Sequence, residues 1–166
     1  MDDIYDYLAA YIQDLDVNNK VLDVGAGEGV LGLYLREYEF KGRYLGIDKN
    51  PTMCKQMEKN GLRCEEGDLR WLDIRKNSWS VVVVKDVLEH LDNPTLLTQA
   101  ILTASRYFIL VTEALLIDSL MPPPKELHFC IDDLLKVAQG CKFNLHDYHR
   151  LGNHSILVFM RKRRKR

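Results

Sequence analysis

The stretch "VLDVGAGEGVLG", residues Val21 to Gly32, decides how this chain folds. Its first residues are apolar and β-branched, which indicates a buried strand, and glycines then alternate with other residues at Gly25, Gly27 and Gly29. Apolar residues at helical spacing follow from Val30. Glycine lets the backbone turn tightly and lets a ligand approach the main chain, while the next helix offers free N–H groups. The stretch therefore predicts a strand, a glycine loop and a helix, which form either a nucleotide-type binding site or a plain tight turn.

Two well-known nucleotide-binding motifs fit this glycine loop poorly. A dinucleotide fingerprint, G-x-G-x-x-G or A, that starts at Gly25 requires a small residue where this chain has Val30. A phosphate-binding P-loop requires Gly-Lys-Ser or Gly-Lys-Thr, and neither follows the glycines. An NAD-dependent oxidoreductase and a non-catalytic nucleotide-binding module stay open as alternatives of another class, because a fold alone does not fix the chemistry.

Strand and helix patterns alternate along the rest of the chain. We predict an α/β fold, with a doubly wound, mostly parallel seven-stranded sheet, helices on both faces and a C-terminal antiparallel hairpin. In such sheets the ligand crevice lies at the carboxyl ends of the parallel strands. The predicted strands are 20–24, 43–47, 62–65, 80–84, 107–112, 144–150 and 155–160, and the predicted helices are 1–15, one from residue 30, 50–60, 93–105 and 131–138.

An acidic residue precedes the glycine loop, which gives the pattern Asp23-x-Gly25-x-Gly27-x-Gly29. In this pattern and in the order of its motifs, nearly the whole chain resembles the class I, Rossmann-like methyltransferases that use S-adenosyl-L-methionine. Its V-L-E-H-L segment resembles the small-molecule members. The resemblance implies in-line transfer of a methyl group from the sulfonium to an O, N or C nucleophile, with S-adenosyl-L-homocysteine as the product. It also implies that Asp23 and the three glycines bind the cofactor.

Two further segments match the family's contacts to the nucleoside. Asp48, with Lys49 beside it in "LGIDKNP", stands where the family's acidic residue binds the two ribose hydroxyls, and one carboxylate can accept both. In "EGDLRWLD", Asp68 stands where family members bind the adenine amino group, with the backbone of Leu69 beside the ring. The alternative for Asp48 is a helix-capping or turn aspartate, and the alternative for Asp68 is a plain cap.

Candidate groups for the cofactor and for the chemistry follow the predicted fourth strand. Lys85 and Asp86 open the segment that, in the family, lies along the methionine moiety, where main-chain oxygens near Lys85 accept the amino group. Glu89 and His90, together with His128 further along, are the predicted catalytic residues, because each side chain can orient an acceptor or remove its proton. A sulfonium methyl is already activated, so the acceptor's position matters more than any nucleophile in the protein.

Asp86, Glu89 and His90 also permit a metal-binding alternative. On an α-helix, positions i, i+3 and i+4 share one face. The pattern is similar to the Glu-x-x-Glu-His site of the ubiquinone-pathway O-methyltransferases and the small-RNA 3′-end methyltransferases. Here an aspartate replaces the first glutamate and no His-x-x-x-His follows. We therefore predict no metal site, with a divalent cation as the alternative.

Residues 1–160 are predicted to form a single methyltransferase domain. The long stretch 113–129, which contains three prolines, and the leading helix 1–15 are expected to form the lid of the acceptor site. No inserted segment resembles a separate recognition domain, which favours a small-molecule acceptor. The alternative is nucleic acid or protein bound through residues 161–166, six basic residues that suit phosphate contacts and that we expect to be a disordered tail.

Length and composition are those of one globular domain. The chain has 166 residues, of which 46% are hydrophobic and 28% charged. Neither a membrane-spanning run nor a signal-peptide pattern is present in the sequence, which predicts a cytoplasmic protein. Cys54, Cys64, Cys130 and Cys141 lack C-x-x-C spacing, so we expect reduced cysteines and no zinc ribbon.

Overall fold

A seven-stranded sheet forms the centre of the protein. The computed structural model describes residues 3–15, 20–68, 79–90, 98, 101, 105–112, 131–152 and 154–162. The strands are β1 (Lys20–Val24), β2 (Arg43–Asp48), β3 (Cys64–Glu66), β4 (Trp79–Lys85), β5 (Ser105–Thr112), β6 (Phe143–Leu151) and β7 (His154–Arg161). Their order is β3-β2-β1-β4-β5-β7-β6. Strands β1 to β5 pair in parallel, and β7 pairs antiparallel with both β5 and β6. This confirms the predicted fold class.

Helices pack on both faces of the sheet. They are α1 (Asp3–Asp14), α2 (Val30–Glu37), α3 (Pro51–Lys59) and α4 (Ile131–Gly140). Helix α3 begins where the sequence predicted, because the Asn50 side chain accepts the N–H of Thr52 at 2.9 Å and Pro51 occupies the first turn. Within the residues just given, no helix is long and apolar enough to cross a membrane.

The core lies in two layers, one on each side of the sheet. Val81 and Val83 of β4 face the layer built with α1 and α2, whereas Val82 and Val84 face the layer built with α4. All four valines are completely buried, as expected for a central parallel strand with both faces covered. Helix α1 contributes Ile4, Leu8 and Ile12, and burial of each such side chain stabilises the fold by about 1.5–3 kcal/mol.

The connections between strands reverse direction beside β1. From β1 the chain moves outward to β2 and β3, and it then returns to place β4 and β5 on the other side of β1. The carboxyl ends of β1 and β4 are therefore neighbours at a topological switch point, where open α/β sheets bind their ligands. The glycine loop leaves β1 at this point.

Strand pairing shifts several element ends from their predicted positions. Ser105, predicted as the end of a helix, is the first residue of β5, because it pairs with Trp79. Arg161, predicted as the first residue of a disordered tail, is the last residue of β7, and its guanidinium donates to the carbonyl of Ser105 at 2.9 Å. Strand β3 begins at Cys64, two residues later than predicted. The periodicity of the sequence does not carry this pairing information.

The expectation that all the cysteines are reduced is wrong for two of them. Cys54 on α3 and Cys64 on β3 form a disulfide, with Cα atoms 5.3 Å apart. Packing of α3 against β2 and β3 brings them together, which a search for C-x-x-C spacing does not detect. Cys141 is free, and Cys130 lies outside the described residues.

Candidate functional site

The three loop glycines have left-handed backbones but different surroundings. Their φ angles are 74°, 57° and 81° for Gly25, Gly27 and Gly29, a region that side chains disfavour. A Cβ on Gly25 would overlap Val87, and one on Gly29 would lie 2.6 Å from Met57. In contrast, a Cβ on Gly27 would have no described atom within 4 Å. Gly27 is therefore the loop glycine that leaves room for a ligand to approach the main chain.

Asp48 closes the glycine loop from the end of β2. Its Oδ2 accepts the N–H of Gly27 and its Oδ1 accepts the N–H of Asn50, both at 2.8 Å. Each carboxylate oxygen has a second lone pair for a further donor. The main-chain oxygen of Asp48 accepts the N–H of Gly67 at 3.0 Å, which places the turn that contains Asp68 beside it. The cap of α3 is Asn50, so Asp48 is not the helix cap, whereas its bond to the N–H two residues on is the one that a turn aspartate makes.

A cavity of about 360 Å³ lies over the carboxyl ends of β1 and β4. Five of the predicted cofactor residues line it, and helix α1 closes one side with Tyr5 and Leu8. The lining residues are Tyr5, Leu8, Asp23, Gly25, Ala26, Gly27, Glu28, Val30, Leu31, Val83, Lys85 and Asp86. Of the other predicted cofactor residues, Lys49 is exposed and Leu69 lies outside the described residues.

Asp23 forms a buried acidic wall of this cavity. Its side chain is 5% exposed and its Oδ2 accepts the hydroxyl of Tyr44 at 2.7 Å. Burial raises the pKa of Asp23 to about 6, although the Tyr44 hydrogen bond and the Lys85 charge act to lower it. Gly32 makes room for Tyr44, since a Cβ there would lie 2.7 Å from the ring. The sequence analysis missed both residues, and Gly32 was the available signal.

Lys85 and Asp86 form an ion pair at the end of β4. The Lys85 ammonium contacts Asp86 Oδ2 and lies 5.3 Å from the centre of the Tyr5 ring, a cation–π distance. Asp86 has a left-handed backbone, with φ 50°, and its N–H donates to the carbonyl of Val111 at 2.9 Å. Its Oδ1 is buried and has no hydrogen bond within the described part of the chain. The pair thus joins the cofactor cavity to the neighbouring strand β5.

The predicted catalytic residues do not form the helical face that the metal alternative requires. Asp86 lies in its left-handed turn, and Leu88–His90 is a single 3-10 turn. Glu89 lies in this turn, the His90 side chain is exposed, and His128 is outside the described residues. Among the residues that the structure describes, no three His, Cys, Asp or Glu side chains come together as metal ligands.

One histidine at this edge of the sheet was missed. His154 Nε2 lies 3.6 Å from Asp86 Oδ2. The sequence analysis considered only residues that follow parallel strands. However, the first residue of the antiparallel strand β7 falls at the same edge, so the predicted turn at Gly152 was the signal for it.

Helix α1 is held beside the cavity by a polar contact to the edge strand. The Tyr11 hydroxyl donates to Asp147 Oδ2 at 3.3 Å, and His149 Nε2 lies 2.9 Å from the same oxygen. The Tyr7 ring packs on His149 with 5.1 Å between ring centres. Burial and the Asp147 carboxylate raise the pKa of Tyr11, so this hydroxyl stays protonated as a donor.

Fold and site together define an α/β protein with a cavity over the carboxyl ends of β1 and β4, beside a glycine loop. A family model described as "Methyltransferase domain" matches residues 21–106, about half of the chain, and the chain belongs to that family. It is an enzyme that uses S-adenosylmethionine as methyl donor. No curated protein sequence matches it significantly.

Solved structures of similar fold agree with this assignment. A protein of Pyrococcus horikoshii OT3 is 16% identical with a TM-score of 0.76, over 96% of this chain and 90% of that one. Magnesium protoporphyrin IX methyltransferase of Synechocystis PCC 6803, with bound S-adenosylhomocysteine, is 17% identical with a TM-score of 0.77, over 96% and 83%. A methyltransferase of Aquifex aeolicus is 17% identical with a TM-score of 0.66, over 92% and 88%. At such identities the likeness shows the fold.

Proposed function

We propose that this enzyme methylates a small molecule bound over the ends of β4 and β5, by in-line transfer to an O, N or C nucleophile. The observation that carries the proposal is the cavity, which connects the glycine loop to Lys85 and Asp86 and is closed on one side by α1. A crevice covered by a helix of the same domain suits an acceptor that can enter it entirely.

In this proposal the cofactor extends across the glycine loop from Asp48 to Lys85. Asp48 accepts the two ribose hydroxyls through the second lone pairs of its oxygens. Asp68 binds the adenine amino group, which the contact between Gly67 and the Asp48 carbonyl supports, because it places the two aspartates side by side. The open space at Gly27 allows the ligand to approach the loop backbone closely.

The chain itself contributes mainly position and exclusion of water. Bound S-adenosylmethionine supplies a methyl group that its sulfonium has already activated. Tyr5 and Leu8 of α1 keep water out of the cavity. The other part of the predicted acceptor lid, residues 113–129, lies outside the described residues and stays part of this proposal. Glu89, His90 and His128 remain the acceptor-side residues of this proposal.

A macromolecular acceptor is the second candidate, since the chain ends in six basic residues. Arg161, the first of these residues, belongs to the fold, because its guanidinium donates to the Ser105 carbonyl and lies 4.9 Å from the Phe143 ring centre. This supports the small-molecule proposal, since that guanidinium already has contacts within the protein. A fair deletion therefore removes residues 163–166 and keeps Arg161. We expect its affinity for a mixed RNA pool and its thermal stability to match those of the full chain. A large loss of RNA affinity at unchanged stability would favour the nucleic-acid alternative.

The test of the function has two stages. S-adenosylhomocysteine is expected to raise the melting temperature, and NAD is expected to leave it unchanged. Stabilisation by NAD alone would overturn the cofactor assignment. Transfer of a labelled methyl group is then measured to a panel of phenols, amines and carboxylic acids, with RNA and a protein extract alongside. Labelling of RNA or protein without any small molecule would contradict the acceptor class.

A cytoplasmic location is also part of this proposal. Disulfides are rare in reducing compartments, so the Cys54–Cys64 pair is the observation that opposes it. Fractionation of source cells with quantitative thiol alkylation of the two cysteines tests both points. We expect the enzyme in the cytoplasmic fraction, and recovery outside the cytoplasm with both cysteines oxidised would contradict the location.

A further inference from the structure

His154 lies beside Asp86 at the edge of the sheet, next to the cofactor cavity but not among the residues that line it. In strand order, β5 separates β4 from β7, so Asp86 and His154 approach each other across the end of β5. Alternate residues of a strand face the same side, and Ile156 and Val158 of β7 pack in the layer with α1. His154 therefore faces the side of the sheet on which α1 closes the cavity.

The Asp86 carboxylate links this histidine to the cavity. Asp86 lines the cavity, its Oδ2 is shared between Lys85 and His154, and its Oδ1 is buried without a hydrogen bond in the described residues. Its left-handed backbone is fixed by the bond to the Val111 carbonyl. A carboxylate held in this way stabilises a positive imidazolium beside it.

Charged groups around His154 come from the two neighbouring sides. Asp86 and Lys85 approach from the end of β4. On β6, Leu151 pairs with His154, and the next pair along the strands brings Arg150, whose side chain is exposed, opposite Ser155. Within the described residues, the negative charge nearest to His154 is thus the Asp86 carboxylate at 3.6 Å, and the Lys85 ammonium binds the same carboxylate.

We infer that His154 is the general base of the methyl transfer and that Asp86 is its positioning residue. This inference rests on the proposed function. As the acceptor atom bonds to the methyl carbon, the carbon–sulfur bond breaks and its electron pair returns to sulfur. The acceptor's proton passes to His154, and the imidazolium later releases it to water. The acceptor class is thereby narrowed to a molecule with an O–H or N–H nucleophile, for which an imidazole is a suitable base near neutral pH.

The first test needs no acceptor, because the two forms of the cofactor differ by one charge at sulfur. Histidine side-chain signals are recorded by NMR on the labelled full chain with S-adenosylmethionine and with S-adenosylhomocysteine. A base in line behind the methyl group lies roughly 7 Å from sulfur, so the His154 signals are expected to differ between the two forms, which differ by one charge. His146, exposed on β6, is the control and is expected to shift far less.

The Asp86→Asn variant tests the positioning role. Asparagine tolerates a left-handed backbone, so the turn is preserved while the charge is removed. The difference in the His154 signals between the two cofactor forms is expected to shrink in this variant, and the His146 signals are expected to stay unchanged. With an acceptor from the labelling panel, His154→Gln is expected to lose the acidic limb of the pH profile of kcat/KM.

The possible results separate the two proposals. If the Gly27 amide signal responds to both cofactor forms but the His154 signals are the same with each, the inference is overturned and the methyltransferase function stands. If neither form perturbs Gly27, the proposed cofactor site fails and the inference fails with it. His154 signals that respond to the cofactor in Asp86→Asn as they do in the wild type overturn the positioning role.

Discussion

Replacement of Asp48 by asparagine tests the ribose assignment directly. In the wild type the two carboxylate oxygens accept the N–H groups of Gly27 and Asn50, both at 2.8 Å. Asparagine keeps the size but turns one oxygen into an NH₂ donor, which then faces one of these N–H groups. A hydrogen bond to a charged group contributes about 1.5–3 kcal/mol. We therefore expect the variant to lose about 2 kcal/mol of unfolding free energy, measured by urea denaturation.

The effect on ligand binding is expected to exceed the effect on folding. Loss of the charged acceptor for two ribose hydroxyls costs about 3 kcal/mol, which corresponds to an approximately 100-fold higher Kd for S-adenosylhomocysteine. Isothermal titration calorimetry measures this at a temperature where the variant is folded. Two ligands that differ only in the two ribose hydroxyls test the contact itself. The wild type is expected to bind adenosine more tightly than 2′,3′-dideoxyadenosine, and the variant is expected to bind both equally.

Asn50→Ala is the matched control, because it removes the cap of α3 but no proposed ligand contact. It is expected to cost about 1 kcal/mol of stability and to leave the affinity for S-adenosylhomocysteine unchanged. The ribose assignment would be refuted if Asp48→Asn lost stability yet bound S-adenosylhomocysteine within threefold of the wild type.

Three further predictions concern the same half of the molecule. Gly27→Ala is expected to lose about 1–2 kcal/mol of stability, because alanine disfavours the left-handed backbone at this position. It is also expected to weaken S-adenosylhomocysteine binding at least tenfold, because the new Cβ enters the open space above the loop. Wild-type affinity in calorimetry would contradict this. The folded-state pKa of Asp23 is raised from 3.8 to about 6, so its protonated form favours the folded state, and the unfolding free energy is expected to gain about 2.4 kcal/mol as the pH falls from 7 to about 4. Urea denaturation of Asp23→Asn across this range is expected to show a flatter pH dependence, and an unchanged slope would refute the assignment. Reduction of the Cys54–Cys64 disulfide, which spans ten positions, is expected to lower the unfolding free energy by about 2.5 kcal/mol and so to lower the melting temperature. The Cys54→Ser, Cys64→Ser double variant is the control, and a reductant is expected to leave its melting temperature unchanged.

The architecture was predictable because its signals are local. Four consecutive valines, 81–84, can only be buried if both faces of their strand are covered, and this requirement predicts a central parallel strand. Likewise the glycines after β1 need left-handed backbones for a tight turn, and the structure has them. Local propensity and the global fold agree at these positions.

The missed features all depend on contacts between distant parts of the chain. Tyr44 reaches Asp23 only because β1 and β2 are paired, and the Cys54–Cys64 bond needs α3 to pack beside β3. The left-handed backbone of Asp86 is a further feature that the residue type at that position does not predict.

The reversal of β7 has a consequence for how new specificities can arise. Strands β1 to β3 carry the groups assigned to the nucleoside, while the chain after β4 supplies His154 through a short turn at Gly152. Apart from α1, the proposed acceptor-side residues thus follow the proposed nucleoside contacts in the sequence, with the border at the end of β4. Grafting the segment after Asp86, together with α1, from another member of the family is expected to exchange the acceptor preference and to keep the nucleoside contacts.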